Sequence, residues 1–434
     1  MTNGTHESSD RAKWMALLAA LLGWMFDGVE MGIFPLVAKP ALTELLGAGH
    51  PNFGQWEGSV HAVFLIGAAC GGILFGWLGD RIGRVKAMTW SVLAYSIFSG
   101  LCAFANAPWQ LASLRFCSSL GMGGEWSLGV ALVMEVWPGR SRPMMAGLIG
   151  ASANVGFLFI AVLSLSLAQV LGPIGHGLGK FLPGNWVDKL LANGSWRLLM
   201  ILSALPAVLT FFIRLFVPES EKWQTASKNA PKVGVADIFR QGLAMKTVLG
   251  TGLAAIALLG TWGAIQKIPS WAAGMTAADN HPREWVQIAT GLGAIVGTIL
   301  AALLAEKFSR RSAYFALCAL SLLICGWLFR TPQAWGNSFL AGCAVAGGIT
   351  AAFYGWLPLY LPELFPTRVR ATGQGFAFNF GRTIAALGTI YGGQLLDAFG
   401  KDYAKMGAVM SLVYAAGLVL IWFCPETKGK PLPE

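Results

Sequence analysis

The chain has 434 residues, of which 55% are hydrophobic and only 12% charged. A soluble domain carries about 25% charged residues, so the composition excludes a set of soluble domains and points to one polytopic membrane protein. The net charge of +10 would suggest nucleic acid in a soluble protein, but no basic helix interleaved with aromatics is present, and loop lysines and arginines on one side of a membrane account for it.

An apolar helix needs about 20 residues to cross a bilayer at roughly 1.5 Å per residue. About a dozen runs approach that length: 14–38, 57–78, 87–105, 109–137, 144–171, 196–217, 246–274, 285–305, 313–329, 338–361, 371–399 and 406–424. The polar head 1–10 leads through Arg11 and Lys13 directly into a full-length run, so no cleavable signal is expected. Between the sixth and seventh runs lies one long charged stretch, read as a linker with a short amphipathic helix. The expected division is a six-helix bundle over 1–217, a linker over 218–244 and a second bundle over 245–434. On the opposite side, 172–195 is longer than most loops, and Phe181, Trp186, Leu190 and Leu191 fit one face of a short interfacial helix. The seven cysteines all fall in apolar runs and none forms a CxxC, so neither a disulfide framework nor a zinc site is expected.

An even number of spans puts both termini on one side. Arg81, Arg84, Lys86, Arg140, Arg142, Lys222, Lys228, Lys232, Arg310, Arg311, Arg368 and Arg370 fall on that side, while the opposite loops hold only Lys39, Lys180, Lys189, Arg283, Arg330, Lys401 and Lys405. The positive-inside rule then makes the termini cytoplasmic and the protein a multi-pass component of the cell membrane. The two halves also echo each other. Residues 135–142 and 363–370 share the spacing E-x-x-P-x-R-x-R; 79–84 and 305–310 match in charge order; Pro-Glu-Ser at 218–220 and Pro-Glu-Thr at 425–427 close the halves. Repeated bundles around a central site are a transporter architecture.

Five charged side chains inside the runs carry the functional reading. Asp27 and Glu30 sit at i and i+3 of the first run, on one helix face. A charge at the bilayer centre costs between ~3 and ~10 kcal/mol or more, so that face should look into protein or a wet cavity. Asp27 lies roughly 20 Å up the first run and Arg115 roughly 9 Å down the fourth, so in a core of about 30 Å Arg115 should pair with Asp27 or Glu30. A carboxylate that burial makes protonatable, beside a cation that stabilises its ionised form, is what a transported proton needs. Glu125, deeper along the fourth run, is either a second proton site or bonded to nearby backbone. Arg382, about 18 Å into the eleventh run, with Asn379 one turn earlier, reads as a bidentate clamp for a substrate carboxylate. Gln266, Tyr354 and Trp356 are expected to line a pocket. Asn154 either bonds across helices or faces the ligand. Lys267 is expected to snorkel near the outer mouth, and His61 is given no role. At the cytoplasmic face, Gly76, Asp80, Arg81, Gly83 and Arg84, with Glu306 and Arg310 as their echo, should latch the bundles; Glu135 with Arg142 and Glu363 with Arg370 are expected to do likewise.

Residues 76–84, Gly-Trp-Leu-Gly-Asp-Arg-Ile-Gly-Arg, resemble the loop signature that follows the second helix of the major facilitator superfamily, with Val85 in place of its second basic residue. Arg115 followed by Gly121-Met-Gly-Gly124 is similar to the fourth-helix signature. The stretch 27–30, Asp-Gly-Val-Glu, is similar to the Asp-Gly-Phe-Asp of proton-coupled organic-acid carriers such as the sialic acid and aromatic acid symporters. Residues 121–126, with the Glu-x-Trp-Pro at 135–138, look most like the sialate:proton group. The resemblance covers nearly the whole chain. It implies an all-α membrane protein with twelve transmembrane helices in two pseudo-symmetric six-helix bundles. Val29 and Glu30 depart from the family pair, which leaves pocket shape and substrate open. Gln266-Lys267 stands near the position of the paired glutamines of hexose carriers.

The expected function is secondary active symport of a small organic anion with protons, by alternating access. The anion is a sialate-like sugar acid, a monocarboxylate or an aromatic acid. A carrier of neutral sugars or polyols and a proton-driven efflux antiporter are the alternatives. The chain has no P-loop, metal-ligand cluster or nucleotide fingerprint, so no enzyme, metal or cofactor is expected. The expected partners are the substrate, protons and the bilayer around a monomer.

Overall fold

Helix starts follow local chemistry. Pro108 and Pro282 occupy first-turn positions, where a missing N–H costs nothing. The Ser309 hydroxyl accepts from the Ser312 amide, and the Asp402 carboxylate accepts from the Lys405 amide. Gly83 holds φ +111°, a turn between two helices that a side chain would strain. The structure is a computed structural model that describes residues 3–47, 50, 53–137, 141–178, 183–204, 208, 212–213, 216–220, 223–224, 234–240, 242–277, 281–400 and 402–433.

Twelve helical segments follow in chain order. They are α1 (Asn3–Leu46), α2 (Phe53–Ile82), α3 (Arg84–Leu101), α4 (Pro108–Val136), α5 (Arg142–Leu178) and α6 (Gly184–Leu202). The second half contributes α7 (Leu243–Ala272), α8 (Pro282–Lys307), α9 (Arg310–Arg330), α10 (Asn337–Leu364), α11 (Arg370–Ala398) and α12 (Tyr403–Phe423). Short breaks interrupt α7 near Ala264, α10 at Ala352 and α12 at Ser411–Leu412. No strand occurs among the described residues. Nine spans among the described residues are long and apolar enough to cross a membrane. Helices α4 and α11 fall short of that criterion because they carry polar cargo: Arg115, Ser118, Ser119 and Glu125 on one, Thr372, Gln374, Asn379 and Arg382 on the other.

Helices in lipid gain little from apolar burial against each other, so close backbone approach at small residues does the packing. A Cβ on Gly28 of α1 would strike the Ala153 carbonyl of α5, and one on Gly156 of α5 would strike Met25 of α1. The α2–α4 seam repeats the device, with Gly71 against Leu120 and Gly123 against Ala68.

The internal repeat is realised bond for bond. Arg84 donates to the Gly79 carbonyl at 3.0 Å, and Arg310 to the Ala305 carbonyl at 3.0 Å. Glu219 accepts from the amides of Arg84 and Val85, capping α3; Glu426 accepts from the amides of Arg310 and Arg311, capping α9. Burial raises the Glu219 carboxyl above its ordinary range despite these donors. Burial also pushes Glu426 upward, but backbone donors from Lys428, Arg311 and Arg310 outweigh it and bring the group down.

One expectation is corrected. Residues 172–195 are mostly helix, because α5 runs to Leu178 and α6 begins at Gly184. No separate interfacial helix forms there. Trp186 is exposed and Leu190 buried on the outer part of α6, which is stapled down by Glu44 at the end of α1. Glu44 accepts from Trp196 at 2.6 Å, from Arg197 at 2.7 Å and from Asn193 at 3.0 Å. Where it is described, the linker makes specific contacts. Val235–Phe239 forms a 3-10 turn, and Trp223 donates to the Asp80 carbonyl at 3.0 Å. Phe181, Arg140, Lys180, Lys222, Lys228, Lys232, Lys401 and most of the sixth run beyond Ala204 lie outside the described residues, and so do the side chains of Lys39 and His61.

Replacing Glu426 with alanine uncaps α9 and should cost about 1 kcal/mol, read as a lower melting temperature at neutral pH. The wild-type carboxyl titrates below its ordinary 4.5, so its contribution is present above that pH and fades as the group protonates. The gap between variant and wild type should therefore close as pH falls below 4.5.

Candidate functional site

A central cavity of about 100 Å³ opens between the two halves, well above the ~10–15 Å³ that one water needs in this measure. Its wall is mainly apolar and aromatic, with Trp24, Phe157, Trp262 and Phe378, interrupted by a few polar groups. Arg382 is the cation on that wall. Gln266, Tyr354 and Asn154 line it. The Asn154 amide donates to the Gly150 carbonyl of its own helix at 3.1 Å.

Trp356 does not line the cavity. It is fully buried towards the Arg310 end of α10, donates to the Arg310 carbonyl at 3.0 Å and stacks on Tyr360 at 4.5 Å. Residues two apart on a helix differ by about 200° in direction, so Tyr354 and Trp356 cannot share one wall. Asn379 is also absent from the wall. Its amide donates to the Gly375 carbonyl at 2.9 Å, and its side-chain oxygen accepts from Arg382 at 3.1 Å. It positions the guanidinium and does not form a second prong.

Asp27 and Glu30 turn away from the cavity, into the first half; Trp24 and Met31 are what α1 presents to it. Of the two settings expected for that face, protein or a wet cavity, both carboxylates take protein. Arg115 pairs with Glu30, which also accepts from Ser99 at 2.8 Å, and Ser99 lies 2.5 Å from Ser118. The Arg115 guanidinium stacks 4.3 Å over Phe64. Asp27 and Glu125 are different. Both are 1% exposed, and neither carboxylate has a hydrogen-bond partner among the described residues. Glu125 presses against Gly23, one turn before Asp27, where any larger residue would collide with it. Glu125 therefore makes no bond to nearby backbone. Asp27 lies within electrostatic reach of Glu125, Glu30 and Arg382.

An aromatic layer underlies the cavity and escaped the sequence reading. Trp126 of α4 stacks on Phe378 of α11 at 4.0 Å, Trp24 meets Phe378 edge-on at 6.4 Å, and Arg382 sits 5.3 Å over Phe378. The signal was present in the spacing. Phe378 precedes Arg382 by four residues and Trp24 precedes Asp27 by three, so each shares a helix face with a charge.

At the basic face a polar cluster joins the halves. The Asp80 carboxylate of α2 accepts from the Thr372 amide at 2.7 Å and its hydroxyl at 2.6 Å, at the positive start of α11. Arg84 pairs with Asp80 at 2.9 Å and with Glu135 at 3.0 Å. Glu135 also accepts from Arg370 of the other half at 3.1 Å. Gly76 lets α2 approach Ala371. The pairings expected within each E-x-x-P-x-R-x-R repeat are corrected. Arg142 donates to the Met134 carbonyl, Glu363 takes Arg310 with two bonds of 3.0 and 2.8 Å, and Arg370 crosses to Glu135. The helix break inside each repeat separates its glutamate from its last arginine. Arg81 and Glu306 are exposed, Arg81 lying 4.9 Å over Trp77.

Twelve helices in two repeated halves, a cavity between them and a polar seam at one face define a membrane transporter. The chain belongs to the Major Facilitator Superfamily, whose family pattern matches residues 15–389. It is 29% identical to a probable 4-methylmuconolactone transporter of Cupriavidus pinatubonensis, over 95% of this chain and 90% of that one. It is 25% identical to the sialic acid transporter NanX of Escherichia coli, over 94% and 92%. The proton:xylose symporter XylE superposes with a TM-score of 0.76 at 18% identity, covering 98% of each chain, which establishes the shared fold. The relatives are transporters and not enzymes.

Glu135→Ala takes from buried Arg370 its carboxylate and leaves Arg84 with Asp80, and should destabilise the protein by about 3 kcal/mol in thermal unfolding. Arg142→Ala, which loses one backbone bond, should shift stability by about 1 kcal/mol or less.

Proposed function

We propose that the protein imports a small organic anion with protons across the cell membrane by alternating access, working as a monomer with both termini cytoplasmic. The basic loops support the orientation, and organic acids in the names of relatives support the substrate class. The observation that carries the reading is Arg382, a buried guanidinium on the cavity wall, held by Asn379 and within electrostatic reach of the unbonded Asp27 carboxylate.

The coupling follows from charge balance. With the cavity empty, Arg382 stabilises ionised Asp27. A substrate carboxylate entering the cavity takes the guanidinium for itself. Asp27 then loses its cation beside Glu125 and takes up a proton, so anion and proton load together. Gln266, Tyr354 and Asn154 contact the remainder of the substrate. Glu30 is already neutralised by Arg115 and serves as a strut that fixes α1 against α4. Residues 218–244 link the two bundles and let them rock. Asp80, Arg84, Glu135 and Arg370 form the cytoplasmic gate, shut in this conformation, while Arg310 and Glu363 brace the second half internally.

The test is external alkalinisation by proteoliposomes on addition of nicotinate, cis,cis-muconate, N-acetylneuraminate or neutral xylose. At least one acid, and not xylose, should raise the external pH. Alkalinisation by xylose alone would overturn the reading. In the same vesicles Asp27→Asn should lose accumulation against a gradient and retain exchange; equal loss of both would remove Asp27 from coupling. Arg382→Lys should raise KM about tenfold or more through loss of the planar fork.

A further inference from the structure

One face of α11 carries a ladder of bonds from the basic seam to the cavity cation. Ala371, Gly375, Asn379 and Arg382 follow at steps of four, four and three, so they share that face over roughly 16 Å. At its foot the amides of Ala371 and Thr372 donate to the Asp80 carboxylate of α2 at 3.3 and 2.7 Å. Next, the Gln374 side-chain amide donates to the Ser127 carbonyl of α4 at 2.5 Å. Gly375 lies against the Gly72 carbonyl of α2, where a Cβ would come within 2.9 Å. Asn379 is the rung nearest the cavity. Its side chain is fully buried and donates to the Gly123 carbonyl of α4 at 3.4 Å, and Gly72 is packed so closely on it that a Cβ there would collide with the carboxamide. The same nitrogen donates to the Gly375 carbonyl at 2.9 Å, and the oxygen accepts from Arg382 at 3.1 Å. Two carbonyls on one side and a guanidinium on the other fix which end of the group is oxygen.

We infer that Asn379 is a positioning residue for gate opening: it carries the state of Arg382 to the seam between α11 and the first half. The inference rests on the reading that a substrate carboxylate takes Arg382. A carboxamide turns about a broad terminal torsion, so its partners set its orientation. With Arg382 on its oxygen, the planar group aims its N–H bonds at two carbonyls, one in α11 and one in α4. A carboxylate in the cavity makes a shorter, charge-assisted pair with the guanidinium and outcompetes a neutral amide oxygen. The carboxamide then loses the partner on its oxygen. The 3.4 Å bond to Gly123, at the long limit for N–H···O, is the first to be given up. With no room beside Gly72, a turned side chain presses α2 and α11 apart above the Asp80 contacts. Packed groups with two arrangements thereby link the cavity to the gate, and occupancy shifts the seam towards release.

The test is amide hydrogen exchange, read by mass spectrometry on the purified full chain, in peptides that cover Ala371 and Thr372, whose amides bond to Asp80. Nicotinate, cis,cis-muconate and N-acetylneuraminate are the probes, with xylose as the neutral control. In wild type, an acid that alkalinises the vesicle exterior should speed that exchange about fivefold or more, and xylose should not. Asn379→Leu keeps the volume and removes both ends of the amide. It should exchange faster than wild type before any ligand is added, gain nothing further from the acid and leave exchange in α9 unchanged. Arg382→Ala should loosen the seam in the wild-type background and add nothing in Asn379→Leu, because one residue relays the other. An equal response to the acid in wild type and Asn379→Leu overturns the inference. So do an unchanged ligand-free rate in Asn379→Leu, additive loosening in the double variant, a transported acid that leaves the wild-type seam unmoved, and faster exchange throughout the chain with a lower melting temperature. If no acid alkalinises the exterior or changes exchange, the organic-anion reading itself has failed, and the ligand-free comparison of the two single variants with the double still decides Asn379.

Discussion

The Arg84–Glu135–Arg370 bridge is where the two halves are held to one another. A charge inside a helix that spans lipid has to be met by another part of the protein, because no solvent is there to meet it. Glu135 is met twice, once from each half, and Asp80 is met by the start of α11. These bonds fix the basic face while leaving a cavity above it, so the position of the cavity follows from which end of the molecule is tied. The bonds are all polar contacts between preformed helix ends. They can be exchanged for others without unfolding a helix.

The repeat explains both the symmetry and its breaking. Arg84 and Arg310 make the same turn contact within their own halves, and Glu219 and Glu426 make the same cap. The glutamates of the E-x-x-P repeat then diverge. Glu363 is satisfied by Arg310 inside its own half, and Arg370 is thereby free to reach across to Glu135. One duplicated motif serves as an internal brace in one half and as the seam between halves in the other. Above the seam, Trp126 stacked on Phe378 forms a second layer that separates the cavity from the basic face.

Asp27, Glu30 and Glu125, three of the buried carboxylates of the first half, divide by what surrounds them. Glu30 has Arg115 and a serine pair, so its charge is compensated and its place is fixed. Asp27 and Glu125 have no such donors, and they lie beside each other with Arg382 as the nearby cation of the other half. That contrast separates a carboxylate with a partner from two without one among the described residues. The spacing of Asp27 and Glu30 on one helix face does not distinguish them.

The superfamily was legible through the resemblance carried by the motifs at 76–84 and 115–124. Amino-acid order by itself also determined the twelve apolar segments, their duplication and the charges Asp27, Glu30, Arg115, Glu125 and Arg382 inside them. These follow from length, periodicity and composition, which are local properties of a chain in lipid. Gln266, Tyr354 and Arg382 stand out in the sequence because polar groups in such helices have few other places to go, while Asn154 leaves a cross-helix bond and the cavity equally open. Tertiary packing alone decided partner and direction. It placed Arg115 on Glu30 and not on Asp27, turned both carboxylates of α1 away from the cavity, sent Trp356 to Arg310, reduced Asn379 to a support and carried Arg370 over to Glu135. Most of those outcomes depend on helix rotation and on contacts between residues from 46 to 235 positions apart. A repeat within one strand of sequence specifies which groups exist, and the angle between packed helices specifies which of them meet.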